Sequence, residues 1–262
     1  MMLNVSIGQM DVKLGAPEEN LAVVARMTAE SARRGSDVVV FPELWSTGYD
    51  LANGTKYATG TNAGIFAEMA RLAREHDICI LGSCLSDLGE GRIGNTAVFF
   101  NKNGENIGTY SKTHLFRLMD EDQYLAAGSS RMMVETEWGK MGLAICYDLR
   151  FPELFRAYAL AGAKLIFLPS EWPHPRLAHW RTLLKARAIE NQFFMVACNR
   201  VGTTNSTSFF GHSAIVDPWG ELVVEAGERE MLVTAVIDLD AADEVRKKIP
   251  VFQDRRPDVY EA

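Results

Sequence analysis

The chain has no long apolar run: no stretch approaches the roughly 20 residues a helix needs to cross a bilayer. Its start, Met-Met-Leu-Asn-Val-Ser-Ile-Gly-Gln, lacks the basic opening, apolar core and small-residue cleavage site of an export signal. Cysteine is scarce, four residues in 262 (Cys79, Cys84, Cys146 and Cys198), and none falls in a CxxC or Cys/His spacing. That argues against a disulfide framework or a thiolate metal knuckle and makes free thiols in a reducing cytoplasm the expectation. Positive charge is in deficit too. With 27 Lys and Arg against 34 Asp and Glu the net charge is -7, and no basic stripe appears, so neither nucleic acid nor an anionic membrane is an expected partner.

What is present is the balance of an ordinary globular protein able to bury a large core, 47% hydrophobic and 23% charged residues. No Pro/Ser-rich linker, low-complexity stretch or charge block divides the chain, so residues 1–262 are expected to form a single domain. Strand-like and helix-like segments alternate. Leu3 to Gln9 is an apolar strand, Pro17 to Arg34 has helical spacing, and Gly35 ends that helix before the buried strand Val38 to Phe41. The same pattern returns later, with a helix from Pro152 to Ala161, a break at Gly162 and a strand from Leu165 to Leu168. Gly35-Ser-Asp-Val-Val-Val-Phe-Pro-Glu43 and Gly162-Ala-Lys-Leu-Ile-Phe-Leu-Pro-Ser-Glu171 each run out of a strand into Pro and then a carboxylate. This reads as an internal repeat: two half-domains, each a sheet covered by helices, packed sheet against sheet. Further strands are expected at Ile78 to Ser83, Ala97 to Asn101, Gly108 to Thr113, Met132 to Thr136, Met141 to Ile145, Phe193 to Ala197, His212 to Val216, Glu221 to Val224 and Met231 to Ile237. Asp217-Pro218-Trp219-Gly220 fits a type I turn, and the tail after Pro250 is polar and aperiodic, suited to reaching a partner subunit.

Three places could hold chemistry. Phe41-Pro42-Glu43-Leu44 sets a carboxylate directly after a buried strand, where α/β sheets open their ligand crevice; a helix-capping Glu is the plainer alternative. Tyr110-Ser-Lys112-Thr-His-Leu ends a strand on a lysine, which taken alone is an ordinary surface charge. Gly142-Leu-Ala-Ile-Cys146-Tyr-Asp-Leu-Arg150-Phe-Pro-Glu153 ends an apolar strand on a thiol and begins a helix within a few residues. That turn exposes a nucleophile and aims backbone N–H groups at it, although an isolated Cys is commonly just a small core residue. Cys79, Cys84 and Cys198 lie in apolar strands and read as core. His174 and His179, five residues apart and without a Cys motif, read as loop and helix-surface residues.

Taken together, Phe-Pro-Glu43, Lys112-Thr-His-Leu and Ile-Cys146-Tyr-Asp-Leu-Arg-Phe-Pro-Glu resemble the three signature blocks of the nitrilase, or carbon-nitrogen hydrolase, superfamily, in the family's order. The resemblance spans nearly the whole chain. It implies an α/β fold, a four-layer αββα sandwich of two mixed β-sheets with internal pseudo-symmetry, and a Glu43–Lys112–Cys146 triad. A second glutamate of the family's site matches Glu121, which stands between Asp120 and Asp122. Family members commonly pair through their helical layers, so a homodimer or higher homo-oligomer is expected.

The chemistry that follows is amide hydrolysis: Cys146 attacks a carbonyl, Glu43 moves the protons, and Lys112 with the Tyr147 backbone N–H holds the oxyanion. Lys112 is expected to favour the thiolate, and Glu121 to hold the lysine and the substrate nitrogen. No metal or organic cofactor is required. The stretch Pro169 to Arg181, with His-Trp-Arg-Thr-Leu-Leu-Lys-Ala-Arg-Ala-Ile-Glu-Asn and Cys198-Asn-Arg-Val-Gly202, resembles the ω-amidase branch, which implies a small substrate bearing a carboxylate opposite its amide, such as 2-oxoglutaramate. Arg176 is the candidate for that carboxylate, with Trp172 and Glu171 walling the pocket. A true nitrilase is less apt, because those chains tend to be longer and carry Trp where this one has Tyr147. Carbamoyl hydrolysis and acyl transfer use the same triad, and a scaffold without chemistry would leave the matched identities of Glu43, Lys112 and Cys146 unexplained.

Overall fold

A computed structural model describes residues 1–260. The chain runs β1 (Met2–Gln9), α1 (Pro17–Arg33), β2 (Val38–Val40), the short α2 (Gly54–Tyr57), α3 (Gly64–His76), β3 (Cys79–Asp87), β4 (Ile93–Phe100) and β5 (Asn106–Ser111). It continues through the short α4 (Glu121–Tyr124), β6 (Met132–Thr136), β7 (Gly139–Leu143), α5 (Pro152–Leu160), β8 (Leu165–Ser170), α6 (Leu177–Asn191) and β9 (Phe194–Asn199). A small hairpin of β10 (Val201–Thr204) and β11 (Thr207–Phe210) leads to β12 (Ala214–Val216), β13 (Leu222–Glu225), β14 (Met231–Asp238), α7 (Asp240–Lys248) and α8 (Pro257–Tyr260).

Two six-stranded sheets result, ordered β14-β1-β2-β3-β4-β5 and β6-β7-β8-β9-β12-β13. Their pairing senses match position by position: antiparallel, parallel, parallel, antiparallel, antiparallel. The internal repeat is therefore real at the level of topology, and β2 and β8 hold equivalent places. Local signals repeat with it. Both α1 and α5 begin with Pro in the first turn followed by an acid, where a carboxylate favours the helix dipole, and both run out near a glycine of positive φ, Gly35 (73°) and Gly162 (94°).

Alternation along the strands decides what lies between the layers. Leu3, Val5, Ile7, Val38 and Val40 face Leu143, Leu165, Phe167 and their neighbours in the core between the sheets, whereas Val39, Phe41 and Ile80 face Val24, Met27, Phe66 and Met69 of the α1 and α3 layer. Trp180, Leu184 and Ala188 of α6, with Phe155 and Tyr158 of α5, cover the other sheet. The four-layer αββα sandwich is the observed fold.

The structure departs from the sequence reading where polar residues are buried. β3 and β4 extend further than apolar patterning suggests, because Ser83 pairs with Asn95, and Ser86 with Thr96, across the ladder. The tail after Pro250 is not wholly aperiodic: α8 forms with Pro257 in its first turn and Asp258 paired to Arg256.

Candidate active site

Glu43 leaves β2 through Phe41 and Pro42, and the chain turns at once, with Leu44 held at φ 43°. A left-handed non-glycine residue costs on the order of 1–3 kcal/mol, and such strain persists only where surrounding contacts enforce it. Here the Leu44 N–H donates to Ser83 Oγ and the Trp45 N–H to the Ser83 carbonyl, locking the turn to β3. The Glu43 side chain is buried and fully engaged. Its Oε1 accepts from Asn95 Nδ2 at 2.8 Å and Lys112 Nζ at 2.7 Å, and its Oε2 from the Glu171 backbone N–H at 2.9 Å.

Lys112 follows β5 and is bracketed by backbone: its N–H donates to the Asn95 carbonyl and its carbonyl accepts from the Gly128 N–H, both at 2.8 Å. Only glycine fits at 128, since a Cβ there would lie 2.1 Å from the Ser111 carbonyl oxygen. Of the three neighbouring acids it is Glu121 that turns inward, while Asp120 and Asp122 stay exposed. Glu121 Oε1 accepts from Lys112 Nζ at 2.7 Å and from the Tyr49 hydroxyl at 2.9 Å, and Oε2 accepts from the Phe116 N–H.

Cys146 stands three residues beyond β7 at φ 44°, on the first residue of a tight turn running to Arg150. Asp148 pins this elbow. Its Oδ2 accepts from the Ile145 N–H at 2.8 Å and the Tyr110 hydroxyl at 2.7 Å, and its Oδ1 meets His114 Nδ1 at 2.7 Å, so the cysteine turn is tied to the strand and loop that carry Lys112. The opening N–H groups of such a turn have no acceptor within it, which leaves the Tyr147 N–H available to a ligand. The buried thiol feels the charges of both Glu43 and Lys112.

Burial, the largest influence on Lys112, favours losing its proton, but Glu121 and then Glu43 outweigh it and hold the ammonium above lysine's ordinary range. Burial also raises the Glu121 carboxyl, against the pull of Lys112. For Cys146, burial and then the Glu43 charge push the thiol well up, and Lys112 opposes them without prevailing. Lys112 favours the thiolate, as expected, but burial and Glu43 outweigh it.

A narrow cleft opens on Cys146, walled by Tyr147, Phe116, Trp172, Arg150 and Arg176. Trp172 packs on Trp180 and lies beneath the Arg150 guanidinium at 4.8 Å, and Arg176 lies over Phe116 at 5.7 Å. Glu171 also lines the cleft, but its carboxylate is committed on one side to Arg200 at 3.1 Å. The residues singled out in the sequence are thus gathered into one site. Asn95, Asp148 and Arg150 join it unassigned, and the signal for the first was a lone Asn inside an apolar strand.

A sandwich that buries a thiol beside two carboxylates and an ammonium is equipped for hydrolysis through a covalent intermediate. The carbon-nitrogen hydrolase family model matches residues 4–247, and the chain belongs to that family: it is an enzyme, a carbon-nitrogen hydrolase of the amidase kind. It is 43% identical over 260 residues to the 2-oxoglutaramate amidase of Bacillus subtilis, covering 99% of this chain and 100% of the relative. With the omega-amidase of Xenopus tropicalis it shares 31% identity, over 92% of this chain and 91% of the relative. Among solved structures it resembles a CN-hydrolase superfamily protein of Xanthomonas campestris with an arsenic adduct in its active site, at TM-score 0.91 and 31% identity, covering 98% of both chains.

Proposed function

We propose that the enzyme hydrolyses the terminal amide of a small carboxylate-bearing substrate, of the 2-oxoglutaramate kind, to the acid and ammonia. The observation that carries this reading is the pair of arginines in the cleft. In a chain with an excess of acids, neither Arg150 nor Arg176 has a carboxylate within ion-pairing distance among the described residues; each is laid over an aromatic ring, its charge free for a ligand. Relatives bearing the 2-oxoglutaramate amidase and omega-amidase names support the same substrate class.

Cys146 acts as nucleophile. Glu43 accepts the thiol proton as sulfur attacks the carbonyl, and the oxyanion is received by the Lys112 ammonium and the Tyr147 N–H, each donor worth about 3 kcal/mol. Glu43 then delivers its proton to the departing nitrogen, leaving a thioester, and later takes a proton from the water that cleaves it. Glu121 holds the lysine in place. Trp172 packs along the short carbon chain, with Glu171 behind it in the same wall.

The test is ammonia release from 2-oxoglutaramate, succinamate, nitriles and carbamoyl compounds, with Cys146→Ala as blank. Turnover of nitriles in preference to amides would reassign the enzyme.

Two further properties belong to this reading. The enzyme works as a homodimer joined through its helical layers, supported by Leu160 of α5 and Ile189 of α6 standing exposed on that face, with exposed Trp219 beside Gly220, which packs on Ile189. Sedimentation would test it, a monomer at micromolar concentration counting against it. Its setting is cytoplasmic, supported by four unpaired, buried thiols; no helix among the described residues is long and apolar enough to cross a membrane.

A further inference from the structure

Glu171 is, with Glu121, a carboxylate of the site to which the reaction above gives no proton. It follows β8 as Glu43 follows β2, so the two acids hold matching places in the two halves of the chain. Its side chain is buried; Oε2 is held by Arg200 Nη1 at 3.1 Å, and Oε1 has no hydrogen-bond partner. Its backbone N–H is one of the three donors that fix the Glu43 carboxylate. Arg200 is itself buried, donating to the Val12 carbonyl at 2.6 Å and the Val201 carbonyl at 3.2 Å, lying over Phe209, and 3.5 Å from Asp11. A guanidinium held by so many groups keeps its place whether Glu171 is charged or not.

We propose that Glu171 is a positioning residue for the catalytic base: its N–H orients the Glu43 carboxylate, and its own charge, tethered to Arg200, sets how strongly Glu43 attracts a proton. The inference rests on the reading of Glu43 as base to Cys146. The charged and titratable groups that face Glu171 are Arg200 and, beyond it, Asp11 on one side, and Glu43, Lys112 and the Tyr49 phenol on the other. Burial, against the pull of Arg200 and with the help of Glu43, pushes the Glu171 carboxyl up to about 7. Below that pH Glu171 is neutral, and Glu43 loses a like-charged neighbour and becomes a weaker base. Above it the anion strengthens Glu43's hold on the Cys146 proton.

The experiment follows two rates from about pH 5 to 9, kcat/KM for ammonia release and alkylation of Cys146 by iodoacetamide, in the wild-type protein and in Glu171→Gln and Glu171→Asp. The wild type should climb through a limb near neutrality in both. Glu171→Gln, which keeps an amide oxygen for Arg200, should lose the limb and plateau several-fold lower, and Glu171→Asp should keep a limb at a displaced pH. A Glu171→Gln profile of wild-type shape, or a wild-type rate flat across neutrality, overturns the proposal. Were the Gln variant not to fold, a limb of unchanged position in the Asp variant would do the same. Turnover surviving in Cys146→Ala would instead remove the nucleophile reading beneath it, so the two failures are distinguishable.

Discussion

The ammonium of Lys112 lies 2.7 Å from Glu43 Oε1, and neither side chain reaches solvent. Two charges withdrawn from water in this way are costly unless every remaining donor and acceptor is used. Here nearly all are: Glu121 accepts a hydrogen bond from a second N–H of the ammonium, whose third N–H is left for a ligand, and Asn95 and the Glu171 N–H complete Glu43. The cluster is therefore one unit, in which removing Lys112 leaves two buried carboxylates without their cation.

Lys112→Arg should consequently fail in two ways. A guanidinium is a broad fork that cannot sit 2.7 Å from both Glu43 and Glu121 and also meet an oxyanion. Activity should fall by at least about a hundredfold, the scale of losing one oxyanion donor, and the melting temperature should drop as well. Kinetics paired with thermal unfolding would measure both; near wild-type turnover in the Arg variant would refute the role given to Lys112.

Asn95 gives a milder prediction. It donates to Glu43 Oε1 while its own carbonyl oxygen accepts from Ser83 Oγ, so, with Glu43 proposed as base, its expected part is to orient that carboxylate. Asn95→Ala leaves Glu43 with Lys112 and the Glu171 N–H, and kcat should fall about tenfold with KM little changed, a loss of about 1.4 kcal/mol. A rise in KM at constant kcat would place Asn95 in substrate binding instead.

Much of this was legible before any coordinates. Helices opened by proline and closed by glycine around β2 and β8 carried the repeat, and three strand-end residues carried the site once seen together. What stayed hidden depends on pairing across distance. Ser83 and Asn95 meet through register, which apolar patterning inside a fully buried strand does not specify. Asp148 and Arg150 lay in a quoted motif, yet nothing in spacing tells that one turns inward to pin the elbow and the other outward to the cleft. How far burial outweighs Lys112 at Cys146 was not legible either, because burial depth is a property of the packed layers.

Stability should carry a signature of Glu171. Its carboxyl is raised from 4.5 to about 7, so the fold prefers the neutral form. The corresponding stabilisation is complete below pH 4.5 and is lost as pH rises through about 7. Glu171→Gln does not titrate. Its stability relative to wild type should shift in the variant's favour between those limits, by up to about 3 kcal/mol. Urea unfolding of both proteins at the two ends of the range would show it, and a difference independent of pH would mean that folding does not raise the Glu171 carboxyl.

The arginines of the cleft carry a prediction about substrate choice. An anionic amide such as 2-oxoglutaramate or succinamate should be preferred over neutral butyramide by at least about tenfold in kcat/KM, roughly 1.4 kcal/mol of carboxylate recognition. Arg176 was the residue expected from sequence to supply it, at the start of α6 over Phe116. Arg150 stands on the same cleft and comes from the cysteine turn itself, so it is held more rigidly relative to the nucleophile. If Arg176 binds the carboxylate, Arg176→Ala should erase the preference while butyramide turnover is unaffected. If the two share the anion, each Ala variant should erode the preference in part and the double variant remove it. Arg150 also lies over Trp172, so its loss should lower stability slightly where that of Arg176, over the half-buried Phe116, should not. A preference untouched in both single variants and in the double variant would place the carboxylate elsewhere, and equal turnover of butyramide in the wild type would count against an ω-amidase altogether.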